Sequence, residues 1–281
     1  MLQIETQKKS ARKKTIAILS EETLGAYPEE TKLSDELVID EKELHEEVRK
    51  LLHIEDPEKI TNISLAERKL NPMDGIALGK SKVWTDLEEL CLNNNQIGFR
   101  GTVVIGSNTI WKNLRKLSLS SNKIGDKGGE SIGRNTSWEK LEELWLDENE
   151  IGDKGAVIIG SNTTWKKLKI LSLHTNKISD EGSAAIGRNT TWENLEELWL
   201  KENQIGTKGA VAIGSNTTWK NLKKIDLGNN KIGEKGGEAI GNNTIWINLE
   251  ELWLGENEIG EKGGVMIGSN TTWKNLKILS L

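Results

Sequence analysis

Tryptophan returns every 27 residues, at positions 84, 111, 138, 165, 192, 219, 246 and 273, without one insertion or deletion. Three residues after each begins the same phrase, LxxLxLxxNxI, first met at Leu87, Leu90, Leu92, Asn95 and Ile97. A chain that repeats itself at this interval does not collapse around one central core. Each unit buries its apolar edge only against its neighbours, so the chain builds a solenoid. What such a chain does is then expected of an extended surface rather than an enclosed pocket.

The physics of one repeat is legible. The LxL alternation predicts a short strand with its leucines turned inward. The asparagines at 95, 122, 149, 176, 203, 230 and 257 follow each strand, where the chain must turn. A buried amide there can bond the backbone of adjacent turns and so build a ladder along the stack. Glycines recur twice per repeat, as at Gly155 and Gly160, and the segment between predicts a short helix on the opposite side. Its second glycine reads as a helix stop. Its β-branched residues weaken it, so that some copies are expected as 3₁₀ turns.

Three regions follow from the pattern. Residues 1–34 are polar, lack periodicity and are expected to be partly disordered. Residues 35–59 read as a helical N-terminal cap: Asp40 and Glu43 form a capping box, Leu44, Val48, Leu51 and Leu52 follow at helical spacing, and Pro57 closes the segment. Residues 60–281 are the array: a degenerate first repeat with Arg68 in the asparagine place, seven complete 27-residue repeats from Leu87, and a ninth that begins at Leu276 and stops at Leu281. That stop in mid-strand reads as a fragment of a longer array, or as an edge that docks on something, its own copy included.

Composition removes several functions. A net charge of −5 gives no basic footprint for nucleic acid, and no run of 18 apolar residues suggests a membrane span. The basic cluster Lys8, Lys9, Arg12, Lys13 and Lys14 is followed only by the brief apolar stretch 15–20, too short for a secretory signal. A single cysteine, Cys91, excludes an intramolecular disulfide and favours a reducing, intracellular setting, in the cytoplasm or inside a host cell if the chain is a bacterial effector. Asn135, Asn162, Asn189, Asn216 and Asn270 stand in glycosylation-type triplets, but their recurrence at one place in the repeat points to turn chemistry. Catalysis finds no footing: His45, His53 and His174 are scattered, and neither metal-ligand spacing nor a phosphate-loop lysine is present. No cofactor and no enzymatic activity are expected.

The phrase NxIGxxGxxxIGxNTTWxxLxxLxL, intact from Asn203 to Leu227 with Ile225 in one leucine place, resembles the ribonuclease-inhibitor-like subclass of leucine-rich repeats. That group includes the sensor arrays of nucleotide-binding oligomerisation-domain receptors and the Ran GTPase-activating protein. The resemblance implies an α/β horseshoe, with a parallel sheet on the concave side and short helices on the convex side. Two departures stand out. Tryptophan occupies a place where relatives usually carry leucine, and the abundant cysteines of ribonuclease inhibitor are missing, which counts against that role.

The eight regular tryptophans read as core. Trp145, Trp199 and Trp253 are different, because alternation within LEELWL turns them onto the concave face, at every second repeat. Their column runs Cys91, Ser118, Trp145, Ser172, Trp199, Asp226, Trp253, Ser280. Glutamates beside them, among them Glu143, Glu197 and Glu251, alternate with lysines on intervening strands, and Asp147, His174 and Lys201 are among the least repetitive flanking residues. These nine residues make the expected partner-binding site, with the rings standing out into solvent. The expected function is a protein-interaction module that binds a folded protein on its concave face. A GTPase regulator of the Ran GTPase-activating type, for which no residue here supplies the arginine, and a targeting segment of a longer effector or sensor remain the alternatives.

Overall fold

A computed structural model describes residues 39–281. The polar segment 1–34 and its basic cluster lie outside the described residues. One compact unit runs from Glu41 to Leu281.

Nine strands of three residues form one parallel sheet in chain order: β1 (Asn62–Ser64), β2 (Glu89–Cys91), β3 (Lys116–Ser118), β4 (Glu143–Trp145), β5 (Ile170–Ser172), β6 (Glu197–Trp199), β7 (Lys224–Asp226), β8 (Glu251–Trp253) and β9 (Ile278–Ser280). Leu90 stands beside Leu117 and Leu117 beside Leu144, so the register advances by one sequence period at each step. Alternation then sorts the side chains. Leu144 and Leu146 are wholly buried, whereas Glu143 and Trp145 lie on the other face and are half-buried.

The opposite side carries helices: α1 (Glu46–Leu52) ahead of the array, then α2 (Pro72–Gly79), α3 (Gly98–Gly106), α4 (Gly125–Gly133), α5 (Asp153–Gly160), α6 (Asp180–Gly187), α7 (Thr207–Gly214), α8 (Gly233–Gly241) and α9 (Gly260–Gly268). Helices this short are not stable alone. They persist because each of α2 to α8 packs on the next. None of α2 to α9 tightens to 3₁₀, contrary to the expectation from their β-branched residues.

From Gly79 to Gly241 the second glycine of the pair has a different purpose from the one expected. Ser161, which follows Gly160, caps α5 with right-handed dihedrals (φ −89°, ψ −3°), so no left-handed stop is present. A Cβ on Gly160 would lie 2.6 Å from Ile186 N and 2.7 Å from Ala185 C. Glycine is required there because backbones of adjacent helices touch. The next helix is also held through its N-terminus. Asp126 Oδ1 accepts from the N–H groups of Gly152 and Gly155 at 2.8 and 2.9 Å, and Asp153 Oδ1 accepts from Ser179 and Gly182, both at 2.8 Å. A carboxylate of one repeat thus caps the helix of the next.

Two asparagine ladders run along the stack. In the expected one, Asn122 Nδ2 donates to Leu92 O in the preceding repeat and to Leu119 O in its own, while Oδ1 accepts from Ile97 N. A second uses the asparagines of the NTT triplets. Asn135 Nδ2 donates to Gly106 O and Asn108 O, and Oδ1 accepts from Ser137 N and Trp138 N. Asn135, Asn162, Asn189 and Asn216 are buried. Turn chemistry accounts for their recurrence.

Trp84, Trp111, Trp138, Trp165, Trp192, Trp219 and Trp246 are 0% exposed and Trp273 6%, so the 27-residue beat is core. Ahead of the array the capping expectation needs correction. The N-cap of α1 is His45, whose ring accepts from Glu47 N, not Asp40. Glu41–Glu43 form a 3₁₀ turn, α1 ends at Leu52, and Pro57 opens a second 3₁₀ turn, Pro57–Lys59, at the end of the segment. His45 N donates to Asp74 Oδ1 at 2.7 Å and Asn71 Nδ2 to Glu43 O at 3.3 Å, tying this segment to α2 of the first repeat. Beyond β9 no described strand follows, and Ile278, Leu279 and Leu281 are exposed there.

Candidate functional site

Every second strand brings an indole to the face turned away from the helices. In register, Ser118 adjoins Trp145, Trp145 adjoins Ser172, Ser172 adjoins Trp199, Trp199 adjoins Asp226, and Asp226 adjoins Trp253. Neighbouring strands lie about 4.8 Å apart, so consecutive indoles of the column start roughly 10 Å apart. The three rings do not stand free in solvent as expected; each is half-buried. The cause is visible for two of them. Trp145 Nε1 donates to Glu143 Oε2 at 3.0 Å and Trp199 Nε1 to Glu197 Oε2 at 3.1 Å, a bond between same-face neighbours on one strand. Trp253 lacks the equivalent: its indole N–H is buried with no partner among the described residues.

The charge stripes are ion-pair ladders. Glu142 meets Arg115 and Lys169, both at 2.7 Å, Glu196 meets Lys223 at 2.6 Å and Glu250 meets Lys277 at 2.6 Å. Closer to the tryptophans, Lys116 meets Glu143 at 3.0 Å, and Lys224 lies 3.3 Å from Glu197 and 3.8 Å from Glu251. The hydrogen bond from Lys169 is the main cause of a lowered Glu142 pKa, and the Lys169 pKa is raised in return. Exposed pairs of this kind contribute little each, about 0–1 kcal/mol, and mainly order the strands. Lys116 does more than pair, since its ammonium lies 6.0 Å from the centroid of the Trp145 ring, within cation–π range.

The flanking residues divide. Asp147 is buried: Ser172 Oγ and His174 N donate to Oδ1, and Ser120 Oγ to Oδ2. This carboxylate joins three strands, which leaves little of it to a partner. His174 Nδ1 lies 3.1 Å from Thr175 Oγ1, and Lys201 meets Glu202 at 3.2 Å; both side chains keep an exposed part. Further along, Gly228 and Gly255 replace these side chains and leave the face bare beside Trp253.

Asp226 is the residue that sequence reasoning passed over. It stands where the column elsewhere has Ser118, Ser172 and Ser280, and this substitution of a charge for a hydroxyl was the available signal. Its side chain is buried, accepts from Gly228 N at 2.9 Å and forms no ion pair. Burial pushes its carboxyl above the usual aspartate range. Elsewhere the described residues hold no group of three or more His, Cys, Asp or Glu side chains placed to bind a metal ion. His45 caps α1 and His53 meets Glu41, each far along the chain from His174.

Nine parallel strands in unbroken order, one helix between each consecutive pair and an asparagine ladder at every turn decide the architecture. The fold is that of a leucine-rich-repeat solenoid. Residues 112–133, 139–159, 193–214 and 220–241 match the profile of the Leucine Rich repeat family. No curated protein matches the sequence. Among solved structures, the leucine-rich-repeat array is similar to an internalin (inlF) from Listeria monocytogenes strain 4b F2365, with a TM-score of 0.55 and 23% identity. That likeness covers 77% of this chain and 52% of the internalin chain, so the protein spans about half the internalin's length. At this identity the likeness is one of fold. No described helix is long and apolar enough to cross a membrane.

Proposed function

We propose that this protein is a non-enzymatic binding module whose folded protein partner lies on the concave face across Trp145, Trp199 and Trp253. One observation carries the reading. Beside the Lys116–Glu143 and Lys224–Glu197 ion pairs, the large aromatic groups of this face among the described residues form one column and stay partly open. Partially exposed indoles in a row are poor for solubility and are the side chains most often found at the centre of protein interfaces. Glu143 and Glu197 orient two of the rings, and together with Glu251 they set the electrostatic register of the partner, with His174 and Lys201 at the rim. Asp147 supports them from beneath. On this reading the array belongs to the ribonuclease-inhibitor-like subclass and works inside a cell, which the single cysteine favours.

The test replaces all three tryptophans with serine, the residue that the chain itself uses at 118, 172 and 280. The variant is expected to retain the far-ultraviolet circular dichroism of the native array and to lose the proteins that the native chain captures. An unchanged set of captured proteins removes the reading.

A further inference from the structure

We propose that the notch between Trp199 and Trp253, floored by Asp226, receives a cationic side chain, arginine or lysine, from a basic polypeptide segment. The proposal rests on the concave face being the docking surface and names the chemistry of what docks there.

Geometry comes first. Trp199, Asp226 and Trp253 occupy the same register position on three consecutive strands. The two indoles therefore start about 10 Å apart with Asp226 between them, a spacing that admits a cationic side chain within cation–π reach of an indole. A carboxylate lies between them. Asp226 is buried, holds one hydrogen bond from Gly228 N and no ion pair, while the nearest rim lysine, Lys201, is engaged by Glu202. Burial raises its pKa, and the Gly228 hydrogen bond and the more distant charges of Lys201 and His174 offset this only in part. A guanidinium or ammonium entering there would supply an ion-pair partner beside the two indoles.

The fold already makes such an arrangement from its own residues. Lys116 lies on Glu143 at 3.0 Å and over the Trp145 ring at 6.0 Å. No described cation lies over Trp199 or Trp253 in this way. The intervening notch between Trp145 and Trp199 differs, because its floor is Ser172, whose hydroxyl is committed to Asp147.

The notch also has an entrance. Where earlier repeats carry Asp147, His174 and Lys201, the last two carry Gly228 and Gly255. A Cβ at Gly228 would come 3.2 Å from Asp226 Oδ1, so any side chain there would crowd the carboxylate. The backbone at Gly228 does not have a left-handed φ, so conformation alone does not demand glycine. Charge points the same way. Across the four outward positions represented by Glu89, Cys91, Asn93 and Asn94, the complete repeats carry nine carboxylates and three lysines. An acidic or neutral segment gains nothing from this field, and a basic one does.

The test uses the full chain and two probe peptides, acetyl-Gly-Gly-Arg-Gly-Gly-amide and the same peptide with neutral citrulline. Binding is read from the indole Nε1–H resonances, assigned with W199S and W253S. The arginine peptide is expected to shift the Trp199 and Trp253 signals saturably, with the citrulline peptide at least about tenfold weaker. D226S, which restores the serine of the other repeats, and G228Q, which fills the entrance, are each expected to weaken arginine binding by about tenfold or more. Equal response to citrulline, native-like binding by D226S and G228Q, or no saturable shift overturns the proposal. The two readings separate through partner capture. Loss in the triple tryptophan variant with full retention in D226S sinks the cation notch and leaves the docking face standing. Capture unaffected by the triple variant sinks the docking face itself.

Discussion

Asn203 to alanine is the perturbation that probes the stacking ladder most cleanly. Asn203 is buried, and its Nδ2 donates to Leu173 O and Leu200 O at 3.0 Å and to Lys201 O at 3.3 Å, while Oδ1 accepts from Ile178 N at 3.0 Å. Two of these carbonyls keep another partner after the change. Leu173 O still accepts from Asn176 Nδ2 and Leu200 O from Asn230 Nδ2. Ile178 N has no such alternative, so one buried N–H is orphaned, at about 1–3 kcal/mol. The shared bonds to the carbonyls add about 1 kcal/mol, which brings the expected loss to roughly 2–4 kcal/mol. The matched control is Asn194 to alanine. Its amide donates to Lys166 O at 2.8 Å, but on the exposed surface, and the expected loss is under about 0.5 kcal/mol. Urea unfolding followed by circular dichroism measures both. Equal losses, or a loss below about 1 kcal/mol for Asn203 to alanine, would refute the reasoning that the ladder stabilises the stack through otherwise unpaired backbone groups.

Gly160 to alanine is expected to destabilise by about 1–3 kcal/mol, because its Cβ would lie 2.6 Å from Ile186 N, whereas Gly264 to alanine, with nothing within 4 Å of its Cβ, is expected to stabilise α9 by about 0.5–1 kcal/mol; thermal unfolding compares them. Asp226 has a pKa raised by burial, so its ionised form costs stability above the ordinary aspartate value. D226S should therefore exceed the native chain in stability at neutral pH, with the gain fading as pH falls through the raised value toward that of an unfolded aspartate. Glu142, lowered chiefly by the Lys169 hydrogen bond, behaves oppositely: E142Q loses stability at neutral pH, and the difference closes as pH falls below the ordinary glutamate value through its lowered one. Urea titrations across pH check both signs.

Much of the fold was legible because a strict period leaves little freedom. A 27-residue spacing repeated without slips fixes strand order, parallel sense and register together, and LxL fixes which side chains turn inward. Less visible were features made between repeats. Asp126 and Asp153 are surface residues within their own repeat, and their capping of the following helix appears only once the repeats are stacked. Each of β1 to β8 is followed by a left-handed residue, at Glu67, Asn94, Ser121, Glu148, Thr175, Glu202, Asn229 and Glu256, and only the two asparagines among them signal it. The face of the column was readable, but not the posture of its rings. Alternation puts Trp199 on the concave side; the bond to Glu197 that lays the indole down depends on rotamers. Asp147 shows the same limit, as an outward position whose carboxylate is consumed by Ser120, Ser172 and His174.

Site-specific photo-crosslinking tests the central claim most directly. A benzophenone side chain at Lys201, on the rim of the indole column, is compared with one at Lys208, exposed on helix α7 on the opposite side. A partner docked on the tryptophans is expected to be trapped from position 201 and not from 208, and the cross-link should vanish when Trp145, Trp199 and Trp253 become serine. Trapping from 208 alone, or a cross-link from 201 that survives loss of the three indoles, would contradict the account.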